Sequence, residues 1–232
     1  MNPYVGCSHG CRYCQARGSE HMRKTQIDLP SSGLVLEACL DLPAVSGPFP
    51  GVVLCHPHPL YGGNMNNNVI LAISRALTGN GIASLRFNFR GVGRSQGCFA
   101  NGVGEQEDAE AALLLLSNRE EIDPSRIGIM GYSFGGMVAL AVGDTNNVVR
   151  AIAAVSPVIP ADVLKQCAKP KLIVTGAEDN IITPSSVLKE TAGMAEPKIV
   201  EVIAGVDHFW WGYEARVGEM VADFFARVLA IR

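Results

Sequence analysis

The stretch that most limits what this chain can fold into is Gly131-Tyr132-Ser133-Phe134-Gly135-Gly136. It follows the apolar run Arg126-Ile127-Gly128-Ile129-Met130 and precedes Met137-Val138-Ala139-Leu140-Ala141-Val142. That is a strand, a tight turn and a helix, with a serine on the turn in Gly-x-Ser-x-Gly spacing. Small residues two before and two after the serine let strand and helix approach closely. The hydroxyl is then held at the carboxyl edge of a sheet. The helix behind it contributes free backbone N–H groups and the positive end of its dipole. A serine so placed is expected to be a nucleophile.

A chain of 232 residues is long enough for one domain with a substantial core. With 48% apolar and 18% charged residues it reads as globular. The net charge is −3, and no basic cluster suggests nucleic acid. The longest apolar runs have strand or short-helix length, so no membrane span is expected. Cys39, Cys55, Cys98 and Cys167 are scattered, which fits reduced thiols and a cytoplasmic setting. Cys39 and Cys55 fall in apolar strands as small core residues.

The other cysteines, Cys7, Cys11 and Cys14, sit in Asn2-Pro3-Tyr4-Val5-Gly6-Cys7-Ser8-His9-Gly10-Cys11-Arg12-Tyr13-Cys14. Over residues 1–17 the segment resembles the iron–sulfur loop of radical SAM enzymes, and that resemblance implies three thiolate ligands for a [4Fe–4S] cluster. The barrel such a loop needs does not follow it. Gly18-Ser19-Glu20-His21-Met22 looks like a junction, and residues 1–22 are expected to be a leader or fusion segment. Removing residues 1–21 is expected to leave folding and activity essentially unchanged.

From residue 23 onward the elements alternate. Residues 23–30 and 34–43 read as strands around a Ser31-Ser32-Gly33 turn. Further strands are expected at 51–55, 82–89, 149–155, 170–175 and 198–203. Helices are expected at 67–77, 105–116, 184–192 and 212–229, besides the one after the serine. This order implies an α/β sandwich with a mostly parallel sheet. Residues 156–169 have room for a turn and one short helix, not for a cap.

A serine is a poor nucleophile at neutral pH without a general base, and the base needs an orienting carboxylate. Residues 23–232 contain three histidines: His56, His58 and His208. His208 alone lies C-terminal to Ser133, just past the last strand, after Ala204-Gly205-Val206-Asp207. The preceding strand, Lys171-Leu172-Ile173-Val174-Thr175, ends in Gly176-Ala177-Glu178-Asp179, so Glu178 and Asp179 compete for the acid.

Together with the serine turn, Arg90-Gly91-Val92-Gly93-Arg94-Ser95 makes residues 23–232 resemble an α/β-hydrolase. His56-Pro57-His58-Pro59-Leu60-Tyr61-Gly62-Gly63 resembles the corresponding loop of small, dienelactone-hydrolase-like serine esterases. The resemblance implies the order Ser133, Asp179, His208 for nucleophile, acid and base, with Asp179 favoured by its Gly-x-x-Asp spacing. It also implies an oxyanion hole from the N–H of Phe134 and one N–H of the 56–63 loop. Pro57 and Pro59 have no N–H. His58 is first by position, followed by Leu60 and Tyr61.

His56 and His58 alone do not make a metal site, because no third ligand has sensible spacing, and no cofactor is expected. Tyr61 and Trp210 are candidates to line the substrate pocket, Trp210 as one of Phe209-Trp210-Trp211 directly after the base. The expected partner is a small-molecule ester, with neither nucleic acid nor membrane, and a homo-oligomer is left open. A thioesterase or peptidase using the same triad is the enzymatic alternative. A non-catalytic binding domain with a vestigial serine turn is the alternative of another kind.

Overall fold

Alternation inside continuous apolar runs organises the sheet. In β3 (Phe49–Cys55) Val53 and Cys55 pack on one face while Val52 and Leu54 pack on the other. In β5 (Ile122–Tyr132) Ile127 and Ile129 oppose Met130 and Tyr132 in the same way. A strand buried on both faces must be apolar at every position, and its period of two then sorts side chains into two cores.

The structure is a computed structural model that describes residues 22–230. The Cys7, Cys11 and Cys14 segment and the expected leader lie outside the described residues, apart from Met22 at the start of the first strand. β1 (Met22–Ser31) and β2 (Leu34–Pro43) form a hairpin closed by Ser32 and Gly33. Both turn residues have positive φ, 46° and 82°, the two-residue geometry that matches strand twist.

The remaining strands are β4 (Ala83–Phe87), β6 (Val149–Val155), β7 (Lys171–Gly176) and β8 (Lys198–Ile203). The helices are α1 (Asn68–Gly79), α2 (Val103–Ser117), α3 (Phe134–Thr145), α4 (Pro184–Thr191) and α5 (Glu214–Val228). The eight strands run in the order β1-β2-β4-β3-β5-β6-β7-β8. β1 and β2 are antiparallel to their neighbours, and all other pairings are parallel. α1 and α5 cover one face, while α2, α3 and α4 cover the other. This is the expected α/β-hydrolase arrangement. No helix among the described residues is long and apolar enough to cross a membrane.

Register brings the carboxyl ends of the central strands level: Cys55 pairs with Gly131, and Tyr132 with Val155. The segments after β3, β5, β6, β7 and β8 therefore emerge along one edge.

Of the differences from expectation, three have clear local reasons. α2 starts at Val103 because the buried Glu105 carboxylate accepts the N–H groups of Ala100 and Gly102 at 2.8 and 2.7 Å. β4 stops at Phe87, and the chain leaves the ladder so that Phe89 N–H can donate to His56 Nε2 at 3.1 Å. Between β6 and β7 no helix forms. Pro157 and Pro160 restrict the first part of that segment, and Asp162 and Leu164 adopt φ of 65° and 61°, which breaks any helical run.

Candidate active site

The serine turn is forced by two close approaches. A Cβ on Gly131 would lie 1.9 Å from the Gly135 carbonyl oxygen, and one on Gly135 would lie 2.2 Å from the Cys55 carbonyl oxygen. Only glycine fits at either place, so β5, α3 and the end of β3 are in backbone contact there. Ser133 between them has φ 56° and ψ −117°, a conformation uncommon for a residue with a side chain. Its N–H donates to Val155 O at 2.9 Å, and its carbonyl accepts the Met137 N–H at 3.3 Å, which fixes the strained turn from both ends.

The structure brings Ser133, His208 and Asp179 together. Ser133 Oγ lies 3.1 Å from His208 Nε2, and His208 Nδ1 lies 2.8 Å from Asp179 Oδ2. Both His208 and Asp179 are buried. Asp179 Oδ1 also accepts the N–H groups of Ile181 and Ile182 at 3.0 and 2.8 Å. Burial alone would raise the Asp179 pKa. The hydrogen bond from His208, the Ile182 N–H and the facing Ser156 hydroxyl outweigh it and hold the carboxyl below its usual range. Asp179 is therefore ionised at neutral pH and can orient and stabilise a protonated His208. Glu178, the competing acid, is exposed, and its backbone N–H donates to Val206 O.

The loop after β3 curls into a turn of 3-10 helix, Pro59–Tyr61. His58 Nδ1 accepts the Leu60 N–H at 3.2 Å, and the His58 carbonyl accepts the N–H groups of Tyr61 and Gly63 at 3.1 and 3.0 Å. With prolines at 57 and 59, the only backbone N–H from 57 to 61 without an acceptor among the described residues is that of His58. Phe134 begins α3, where a backbone N–H needs no intrahelical partner. The rings of His58 and Phe134 pack at 4.9 Å, which ties the loop to the serine turn. His56 is buried behind them. Its Nε2 accepts Phe89 N–H, and its Nδ1, 2.6 Å from Pro57 O, carries the proton. Burial pushes the His56 pKa down to about 4, so the ring is neutral and serves as a brace for the loop.

The structure places the two candidate pocket residues differently. Tyr61 stands at the rim, 86% exposed, its ring 4.6 Å from that of His58. Trp210 does not face a pocket: its indole is wholly buried against α5 and β6. The reason is local. Asp207 Oδ1 accepts the N–H groups of Phe209 and Trp210 at 3.0 and 3.1 Å, and Trp210 adopts φ 60°, which turns its ring inward. Phe209 and Trp211 are left exposed, and the Phe209 ring meets His208 edge-on at 5.7 Å.

Two supporting residues escaped sequence reasoning. Tyr132 donates its phenol proton to the His208 carbonyl at 2.6 Å, and burial raises its pKa, so that proton stays in place. Ser156 Oγ accepts the Trp210 indole N–H at 3.1 Å. Nothing in the sequence marks either, since one is simply the variable position of the serine motif and the other the residue after a strand.

Beside this constellation runs a groove of about 200 Å³ between the segment after β6 and α4, lined by Pro157, Val158, Ile159, Ile182 and Val187, with Glu190 among its polar residues. Its walls are tied to the site. Val158 N–H reaches Ser133 O at 3.4 Å, and Ile182 N–H binds Asp179.

A family model described as X-Pro dipeptidyl-peptidase (S15 family) matches residues 32–189, a span that includes Ser133 and Asp179 and ends before His208. An uncharacterised protein of Rickettsia prowazekii is 36% identical over 196 residues, 80% of this chain and 82% of its own length. An α/β serine hydrolase homologue from Coxiella burnetii superposes with a TM-score of 0.79 at 32% identity, covering 86% of this chain and 96% of its own. An α/β serine hydrolase without a lid from Xanthomonas campestris gives a TM-score of 0.77 at 26% identity, covering 92% and 97%.

Proposed function

Because this chain belongs to the X-Pro dipeptidyl-peptidase (S15) family and has the fold of the α/β serine hydrolases, we propose that it hydrolyses carboxylic esters with short acyl groups through Ser133, His208 and Asp179. The observation that carries this reading is the unbroken line from Ser133 Oγ through His208 to Asp179, at 3.1 and 2.8 Å. His208 Nε2 takes the proton as Ser133 Oγ attacks the acyl carbon. Asp179, bonded to Nδ1–H, stabilises the imidazolium that forms. The N–H groups of Phe134 and His58 meet the charge that develops on the carbonyl oxygen, a contribution worth about 10²–10³ in turnover for one donor. His208 then protonates the leaving alkoxide. Water, deprotonated by the same imidazole, releases the acid from the acyl-enzyme.

The proposed acyl size rests on the short β6–β7 connection, which forms no helix among the described residues and leaves little apolar wall for a long chain. Further methylenes would extend into water and forgo the ~0.8 kcal/mol that each gains on burial. Acyl chains of about C2 to C6 are therefore favoured.

The test is stoichiometric labelling of Ser133 by a fluorophosphonate beside a panel of p-nitrophenyl esters from acetate to dodecanoate, a thioester and an X-Pro p-nitroanilide. Labelling is expected, with the short esters turned over fastest and all activity lost in Ser133→Ala. An X-Pro amide cleaved faster than any ester would make the protein a peptidase, as the family description has it. An unlabelled serine would make it a binding domain. Activity rising steadily towards dodecanoate would contradict the short-chain preference.

A further inference from the structure

A single side chain ties the base to the strand that carries the nucleophile. Tyr132 closes β5 directly before Ser133, and the pleat sends its ring to the face covered by α1 and α5. There the phenol Oη donates to the His208 carbonyl oxygen at 2.6 Å, with the two rings 5.7 Å apart. Among the described residues this is the only hydrogen bond to the His208 main chain. Tyr132 and His208 are both buried, so a carbonyl left without this donor would be costly.

The other ties of this loop fall to either side of the base. Val206 O accepts the Glu178 N–H at 2.9 Å, Asp207 Oδ1 accepts the N–H groups of Phe209 and Trp210, and the Trp210 indole donates to Ser156 Oγ. These bonds fix where the loop runs. The peptide that follows His208 is held by the phenol, and a rotation of that peptide would swing the imidazole. The ring has little freedom to spare, because it must meet Ser133 Oγ at 3.1 Å and Asp179 Oδ2 at 2.8 Å together.

We propose that Tyr132 is a positioning residue for the general base: its phenol holds the His208 main chain so that the imidazole meets nucleophile and acid at once. The proposal rests on the triad reading above. Ser133 and Tyr132 are neighbours in sequence, so the same end of β5 places the nucleophile through the turn and the base through the phenol. Loss of the hydroxyl should therefore be felt only where His208 works.

The experiment is a double-mutant cycle in the full chain with p-nitrophenyl butyrate: Tyr132→Phe, His208→Ala and both together, with fluorophosphonate titration of the unsubstituted protein. Tyr132→Phe removes the hydroxyl and leaves the ring in its buried place. It should lose about tenfold in kcat, with KM within about twofold. Loss of one triad member leaves a residual rate of about 10³–10⁴ over water, so the second background is measurable. There Tyr132→Phe should change turnover by less than about twofold, because its effect passes through the missing imidazole. A phenol that only stabilised the fold would cost the same factor in both backgrounds. Replacing Tyr132 by 3-fluorotyrosine keeps the donor, should hold kcat within about twofold, and carries the test if the phenylalanine variant folds poorly. If the unsubstituted protein is labelled, then an unchanged kcat in Tyr132→Phe, equal losses in both backgrounds or a tenfold loss with 3-fluorotyrosine overturns the positioning role while the triad stands. If the unsubstituted protein is not labelled, the triad reading falls and this proposal falls with it.

Discussion

On the acid–base side of Ser133, both oxygens of Asp179 and both ring nitrogens of His208 end on partners inside the protein. On the oxyanion side, residues 56–63 hold their shape with backbone bonds, two prolines and ring packing, and leave Leu60 and Tyr61 67% and 86% exposed. The side proposed to move protons buries Asp179 and His208, where a hydrogen bond is electrostatically strong and an unmatched one is costly. The side proposed to admit substrate turns Leu60 and Tyr61 outward and is held from behind by the buried His56 ring and the packing of His58 on Phe134. The mouth of the site therefore combines a buried wall around His208 and Asp179 with a more open one around Leu60 and Tyr61.

The largest expected effect falls on the buried wall. Asp179→Asn preserves shape but presents an N–H or a weaker acceptor to His208, and turnover should fall on the order of 10⁴. Turnover within tenfold of the unsubstituted protein, with Glu178→Gln inactive, would mean the acid is the exposed neighbour after all. Next come the adjacent tryptophans, which sample both regimes within two residues. Trp210→Ala empties a buried indole site and should destabilise by about 3–5 kcal/mol, whereas the exposed Trp211→Ala should stay within about 0.5 kcal/mol in urea unfolding. Equal effects would erase the distinction between the buried turn and the rim.

The open wall still has one buried support, and its signature is acid sensitivity. His56 has its pKa depressed to about 4 by burial, against about 6.5 in an unfolded chain. The unfolded state then binds the proton more readily. The stability contributed by neutral His56 is fully present above about pH 6.5 and is lost as pH falls towards about 4, by about 3 kcal/mol in all. Unfolding free energies at pH 7 and pH 4 should differ less in His56→Gln, and an unchanged difference would remove His56 from this role. The smallest effect belongs to the rim: Tyr61→Ala should change KM by less than about tenfold and leave kcat alone, as expected when binding is uniform between ground and transition states. A large loss of kcat would show that the open wall also shapes the transition state.

Much of this architecture is legible in residues alone, because period-two burial and helical spacing are local signals. The strand before Ser133, the helix after it and the position of His208 beyond the last strand follow from pattern. What escapes pattern is decided by single side chains acting on distant or strained backbone. The inward turn of Trp210 depends on Asp207 capping the two residues that follow His208, and three aromatics in a row look alike until that cap is seen. The early start of α2 depends on Glu105 reaching back to Ala100 and Gly102. The hydrogen bond of Ser156 to the Trp210 indole forms only because β6 ends beside the buried turn after His208, a meeting that no spacing encodes.

The short β6–β7 connection, described above only as a segment without a helix, also bears on the timing of catalysis. Enzymes that fold a lid over their substrate frequently have its reopening as their slowest step. Here the segment after β6 is anchored to Ser133 O by Val158, and the nucleophile's turn is in backbone contact with the end of β3. Under the proposed function, a substrate would meet a surface that is already assembled among the described residues, and bond making at the acyl carbon, not the reopening of a lid, would set the turnover.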